Sequence, residues 1–203
     1  MPATQKDDER LLAQIRAGEV SALGELYDRY RLQVYRTALA ITRDQAAAED
    51  ILQECFLRLN GHAHRIDTRL PLPPWLYRVT VNLSYTWVSR IARRQISLEG
   101  LIDRLEKMVA PARATPEYQA EMHDVKARVR LAVESLPFNQ RAVVVLRYVG
   151  QLDLKEIAYI LDCPVGTVKS RLHHGREALR ARLSHGLGRQ ATHSLEFAYD
   201  SLP

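Results

Sequence analysis

The chain has 203 residues, a formal net charge of +5 and a pI near 9.4, so it is long enough for one large domain or two small ones and only moderately basic, but its positive charge is clustered, which favours nucleic acid before a membrane surface. No apolar run reaches the ~20 residues of a membrane span, and the start MPATQKDDER has no apolar signal core, which excludes membrane insertion and points to the cytoplasm. The two cysteines, Cys55 and Cys163, belong to no Cys-x-x-Cys pair and read as reduced thiols, and His62, His64, His173 and His174 lack further ligands at zinc-like spacing, so neither a metal nor another cofactor is expected.

In chain order, Asp7 to Ala17 carries Leu11, Leu12 and Ile15 and stops at Gly18, a short opening helix. From Val20 to Arg43, Leu23, Leu26, Tyr27, Tyr30, Val34, Ala38 and Ile41 recur at helical spacing with no proline, giving a long amphipathic core helix. Asp44 to Asn60 continues the pattern with Ala48, Ile51, Leu52, Cys55, Phe56 and Leu59, and leaves Glu49, Asp50, Gln53 and Glu54 along one edge. Glu49 and Asp50 suit the positive end of a helix dipole. Gln53 and Glu54 have no such explanation, and an acidic edge on a basic protein fits a protein partner better than it fits DNA.

The segment HAHRIDTRLPLPP, with prolines at 71, 73 and 74, reads as an irregular loop made basic by Arg65 and Arg69. Trp75 to Leu98 follows as a long helix without an acidic residue. Leu76, Val79, Leu83 and Ile91 pack inward, whereas Trp75, Arg78, Asn82, Tyr85, Ser89 and Arg93 form a separate stripe of aromatic, amide and basic groups. That mixture suits unpaired nucleotides: aromatic rings stack on base faces, an amide bonds a base edge and a guanidinium follows the backbone. The simpler reading of each aromatic residue is core packing.

Ser97 to Met108 offers a brief amphipathic helix through Leu98, Leu101, Ile102 and Leu105, and VAPARATP then breaks the pattern. The break divides the chain into a first domain over 7–96, a flexible linker over 97–116, a second domain over 117–184 and a tail over 185–203. Thr115 and Pro116 open a helix carrying Met122, Val125, Val129, Ala132 and Leu136. The run Ala-Val-Val-Val-Leu within Asn139 to Val149 has strand propensity but no second strand to pair with, so it reads as a buried helix.

Asp153, with Glu156 in capping-box register, starts a short helix with an apolar stripe at Leu154, Ile157, Ala158 and Leu161, stopped by Cys163-Pro164. A second helix begins near Gly166 or Thr167, with Val168, Leu172, Gly175, Leu179 and Leu183 inward, Thr167, Ser170, Arg171 and His174 on another face, and Lys169, His173, Arg176 and Arg180 along its flank. Between Val165 and Arg189 there are six Lys or Arg against one acid, Glu177. A short helix, a turn and a longer basic helix match the helix-turn-helix, in which Arg171 reaches a guanine edge while Lys169 and Arg176 meet phosphates; the plainer reading is a hairpin with a solvated charged face. The fold expected is all-α, two small helical domains joined by a flexible linker, the C-terminal one a four-helix domain with the helix-turn-helix. No Gly-rich phosphate loop, paired carboxylates or nucleophile-base motif is present, so an enzyme is the weakest reading.

AAAEDILQECFLRL, WLYRVTVNL and SLPFNQRAVVVLRYVGQLDLKEIAYILDCPVGTVKSRLHHGREALRARL together resemble a bacterial sigma factor of the small, extracytoplasmic-function type, over roughly Leu23 to Arg94 and Ser135 to Leu183. The resemblance implies a protein that binds core RNA polymerase and directs promoter-specific initiation. Asp50, Gln53 and Glu54 would touch the clamp helices of the largest subunit, the flap of the second-largest subunit would hold the C-terminal domain, and an anti-sigma factor would be a further partner. The His62 to Pro74 loop, with Arg65 and Arg69, and the stripe of Trp75, Arg78, Asn82, Tyr85 and Arg93 would take the melted −10 element; Thr167, Lys169, Ser170, Arg171, His174 and Arg176 would read the −35 element as duplex. The family often has an acid four residues after the asparagine at 82, where this chain has Thr86. The alternative is a one-component regulator with an N-terminal sensor or dimerisation domain, although a protein binding only duplex DNA needs no stacking stripe; a helical interaction scaffold leaves the basic helix unexplained.

Overall fold

The computed structural model describes residues 3–68, 70–102 and 128–184, and every regular element among them is helical. α1 (Ala3–Arg16), α2 (Val20–Thr42), α3 (Gln45–His62) and α4 (Leu72–Ile102) form an N-terminal set, with a 3-10 turn at Ala63–Arg65. α5 (128–134), α6 (Phe138–Tyr148), α7 (Leu154–Leu161) and α8 (Val165–Ser184) form a C-terminal set of four. This is the all-α, two-domain architecture expected. Most of the expected linker, with the Thr115-Pro116 helix start, and the 185–203 tail lie outside the described residues.

Leu26, Tyr30, Val34, Ala38 and Ile41 bury one face of α2, as their spacing requires. The turn into α3 is tight because Arg43 takes a left-handed conformation (φ 68°) and the Asp44 carboxylate accepts the Ala47 N–H at 2.7 Å. That cap replaces the dipole role given to Glu49 and Asp50. They follow Gln45 by four and five residues, beyond the first turn where the dipole acts. On α1 the buried Asp8 accepts from Arg29 Nη1 and from the Tyr30 hydroxyl, each at 2.5 Å, fixing α1 across α2. Burial, with the Asp8 carboxylate second, pushes the Tyr30 phenol far up, so it remains a donor.

The prolines correct one expectation. α4 begins at Leu72 and takes Pro73 and Pro74 into its first turn, where a missing N–H forfeits no intrahelical bond. Among the described residues of this segment, irregular chain is therefore confined to 66–68, 70 and 71, held by Arg16, whose guanidinium donates to Ala63 O at 2.9 Å and Ile66 O at 2.7 Å. α4 also runs unbroken to Ile102, absorbing the start of what reads as a separate helix after Ser97.

Ala142 through Leu146 on α6 are each at most 2% exposed, so the valine run is buried on every side of a helix rather than paired in a sheet. α8 crosses α6 at Gly175, where a Cβ would stand 2.9 Å from Val144 Cγ2. The two sets are not separate bodies in contact with solvent alone: Ile41, Tyr77 and Val81 share one core with Val143, Leu146, Ile157 and Val168.

Candidate nucleic-acid interface

The helix-turn-helix forms from local signals. Asp153 accepts from the backbone N–H groups of Lys155 (2.7 Å) and Glu156 (2.9 Å), and Glu156 accepts from the Asp153 N–H at 2.7 Å, completing the capping box. These backbone donors hold the Asp153 carboxyl below the usual carboxylate range. α7 ends at Asp162, in the left-handed conformation (φ 49°), with its N–H and that of Cys163 turned back to Ala158 O. The stop thus precedes the Cys163-Pro164 pair to which it was assigned. Pro164 opens α8 instead, accepting from Thr167 and Val168 at 2.9 and 3.2 Å.

Val168, Gly175, Leu179 and Leu183 are buried and Leu172 half-buried, as the spacing requires. Lys169, Ser170, His174 and Arg176 are exposed. His174 Nδ1 donates to Ser170 O at 2.7 Å, aligning the ring along the helix. Thr167 and Arg171 are half-buried, and Arg171 Nη1 lies 3.8 Å from Cys163 Sγ.

On α4, Asn82 and Tyr85 are exposed and Trp75 is half-buried against the N-terminal core. Arg78 is engaged elsewhere: Nε donates to Ile160 O at 3.3 Å, Nη2 donates to Tyr159 O, and the guanidinium lies 4.9 Å from the Tyr159 ring centroid. Tyr85 meets Phe138 edge to face, centroids 5.1 Å apart. The Thr86 hydroxyl donates to Asn82 O at 3.0 Å, so the side chain standing in place of the family's acid bonds its own helix. Arg65 is exposed in the 3-10 turn; Arg69 and the Arg93 side chain lie outside what is described. A cleft of about 160 Å³ brings Asn82 and Tyr85 together with Phe138, Asn139 and Arg171.

On α3, Asp50 and Gln53 are exposed and Glu54 is half-exposed, accepting from Arg58 Nε at 2.7 Å. The same ridge carries Leu57, 65% exposed, which sequence reasoning passed over. Its signal was available, since Leu57 follows Gln53 and Glu54 by four and three residues and so shares their face. Behind the ridge Cys55 is buried, and burial pushes its thiol up to about 11, so it is a packed core thiol at neutral pH. Among the described residues no His, Cys, Asp and Glu cluster is placed to hold a metal, and no helix is long and apolar enough to cross a membrane.

Residues 26–95 match the sigma-70 region 2 family and residues 126–179 match sigma-70 region 4. SigW of Bacillus subtilis (strain 168), an extracytoplasmic-function RNA polymerase sigma factor, is 30% identical over 184 residues, 86% of this chain and 96% of SigW. The chain belongs to the extracytoplasmic-function sigma factors. Most of α2, all of α3 and the first part of α4 form region 2 of this sigma factor, and α5, α6, α7 and most of α8 form region 4. Its fold is shared by CnrH, solved in complex with the cytosolic domain of CnrY (TM-score 0.64, 22% identity, 89% of this chain and 99% of CnrH). RpoE of Bartonella quintana, solved with the anti-sigma factor NepR, has the same fold (TM-score 0.59, 18% identity, 81% of this chain and 98% of RpoE). A DNA-binding transcription-initiation factor is what regions 2 and 4 make of the chain.

Proposed function

We propose that this sigma factor reads its promoter in two physical forms, the −35 element as duplex through α8 and the −10 element as a melted strand through α4 and the turn before it. The observation that carries this reading is the pairing of two chemically different surfaces. α8 presents exposed Lys169, Ser170, His174 and Arg176 beside half-buried Thr167 and Arg171, while α4 presents an acid-free stripe with an exposed amide and aromatic ring at Asn82 and Tyr85. A cationic helix suits a groove walled by phosphates; stacking groups have nothing to stack on until bases are unpaired.

In this account residues 7–96 bind polymerase and the −10 element, 97–116 link, 117–184 read the −35 element and 185–203 are a tail. Trp75, Arg78, Asn82, Tyr85 and Arg93, with Arg65 and Arg69 before them, serve the melted strand. Asp50, Gln53 and Glu54, extended by Leu57, dock on the clamp helices of the largest polymerase subunit, an apolar centre within a polar rim, and the C-terminal domain docks on the flap of the second-largest subunit. An anti-sigma factor is a further proposed partner, supported by the shared fold with RpoE of Bartonella quintana, which was solved with one.

Direct base contact and phosphate contact separate cleanly in a test on the full chain bound to core polymerase. Arg171→Ala should lose about 1–3 kcal/mol of discrimination at one −35 position, while Lys169→Ala should weaken binding to all sequences and lower the salt slope by about one. A −35 sequence profile untouched by Arg171→Ala would remove α8's Arg171 from base reading.

A further inference from the structure

The helix that carries His174 also decides where its imidazole holds a proton. Nδ1 lies 2.7 Å from Ser170 O, and a carbonyl oxygen only accepts, so the hydrogen is on Nδ1. The Ser170 hydroxyl, 3.4 Å from the same nitrogen, can only share that proton as a second acceptor. A neutral imidazole has one N–H, which leaves Nε2 as a bare acceptor. Nε2 is farther out along the side chain of an exposed residue and has no hydrogen-bond partner among the described residues.

Its place on α8 gives that acceptor something to meet. Thr167, Ser170, Arg171 and His174 share one helical face, the one assigned above to the −35 duplex. Lys169, Arg171 and Arg176 only donate, which suits guanine N7 and O6 and the phosphates. An acceptor suits instead the exocyclic amine that adenine shows at N6 and cytosine at N4. Protonation adds a hydrogen at Nε2 and leaves the Nδ1–H bond to Ser170 O in place, so the ring keeps its position while its outer nitrogen changes from acceptor to donor. The charged groups along this stretch of α8 are Lys169, Arg171 and Arg176, with His173, whose ring meets that of His174 edge to face at 5.5 Å, and Glu177, which is paired with Arg180. α6 approaches the next residue, Gly175, through Gln140 and Val144, and α7 reaches α8 through Cys163 at Arg171, contacts that are neutral on the facing element. α5 shares a core with Leu179 and Leu183, farther along α8.

We propose that His174 sets the base at one −35 position by accepting, through Nε2, a hydrogen bond from the exocyclic amine of adenine or cytosine, and that protonation of the ring turns the choice toward guanine. The inference rests on the −35 reading of α8 given above. It makes base choice at that position depend on pH with no movement of the helix.

The test is selection of promoter duplexes randomised over the −35 element by the full chain bound to core polymerase, at about pH 8 and about pH 6, on either side of the ordinary imidazole value of about 6.5. Added positive charge tightens binding to any duplex, so the readout is the ratio between sites that differ at one base pair rather than affinity itself. At about pH 8 the parent should prefer adenine or cytosine at one position by roughly tenfold, the enriched base telling which amine is read. At about pH 6 that preference should fall at least threefold, about the share of an ordinary imidazole that is then protonated, as guanine gains. His174 is exposed, so its variants keep the fold. His174→Ala should flatten that position and no other, and His174→Arg, a permanent donor, should choose guanine there at both pH values. A −35 profile untouched by His174→Ala, a preference equal at the two pH values, or guanine chosen by the parent at about pH 8 at the position that His174→Ala flattens overturns the inference, while a response to Arg171→Ala at another position keeps α8 as the reader. A parent without −35 selectivity at either pH removes α8 as the reader and this inference with it.

Discussion

Asn82→Ala should abolish open-complex formation while leaving binding to the −35 duplex intact, read as loss of permanganate reactivity at unpaired promoter thymines. Asn82 is exposed on α4, so truncating its amide should move stability by no more than about 0.5 kcal/mol and the defect should be one of function. Melting sets base-pair and stacking loss against what the protein returns to the freed bases, at about 1–3 kcal/mol for each stacked base. Where that balance is close, one base left without its amide partner decides whether strands stay apart. Thr86 strengthens the focus on Asn82, because the Thr86 hydroxyl is bonded to the Asn82 carbonyl and supplies no acid beside it. Promoter melting by Asn82→Ala at the parent's level would assign the stripe to packing.

The double change Gln53→Ala and Glu54→Ala should reduce co-purification with core polymerase by at least tenfold, with the helical signal and unfolding midpoint held. Glu54 makes one exposed ion pair, with Arg58, and such pairs contribute about 0–1 kcal/mol, so the fold loses little. The proposed interface loses the two polar groups one turn before exposed Leu57. A result in which binding persists and stability falls would return this edge to the fold.

Local chemistry was readable from the sequence, and distant chemistry was not. The capping box at Asp153 and Glu156 is a contact between residues three apart, and the inward face of α8 follows from helical period alone. The buried helix at Ala142 to Leu146 was legible by elimination, since no second strand existed. Pro73 and Pro74 misled because the same ring that breaks a helix interior fits a first turn, and only the position of Leu72 tells the two apart. The helix stop at Asp162 was missed because a left-handed aspartate looks like any other in a sequence. The stripe placed Arg78 on α4, but nothing local announced its bonds to α7 carbonyls 81 and 82 residues away. Arg141 has its buried partner at Ile41 O, 100 residues distant, and nothing in either local pattern announces the pairing. Asp8, in an acidic opening segment, is likewise buried only because Arg29 and Tyr30 come from the next helix.

Run-off transcription of genomic fragments by core RNA polymerase, with and without the full chain, tests the sigma-factor account at its centre. Initiation from discrete sites that appear only when the chain is present, and that share elements at two spaced positions, is the result the account predicts. Repression of basal transcription, or no change in start sites, would contradict it and leave the helix-turn-helix as the reader of a duplex-binding regulator.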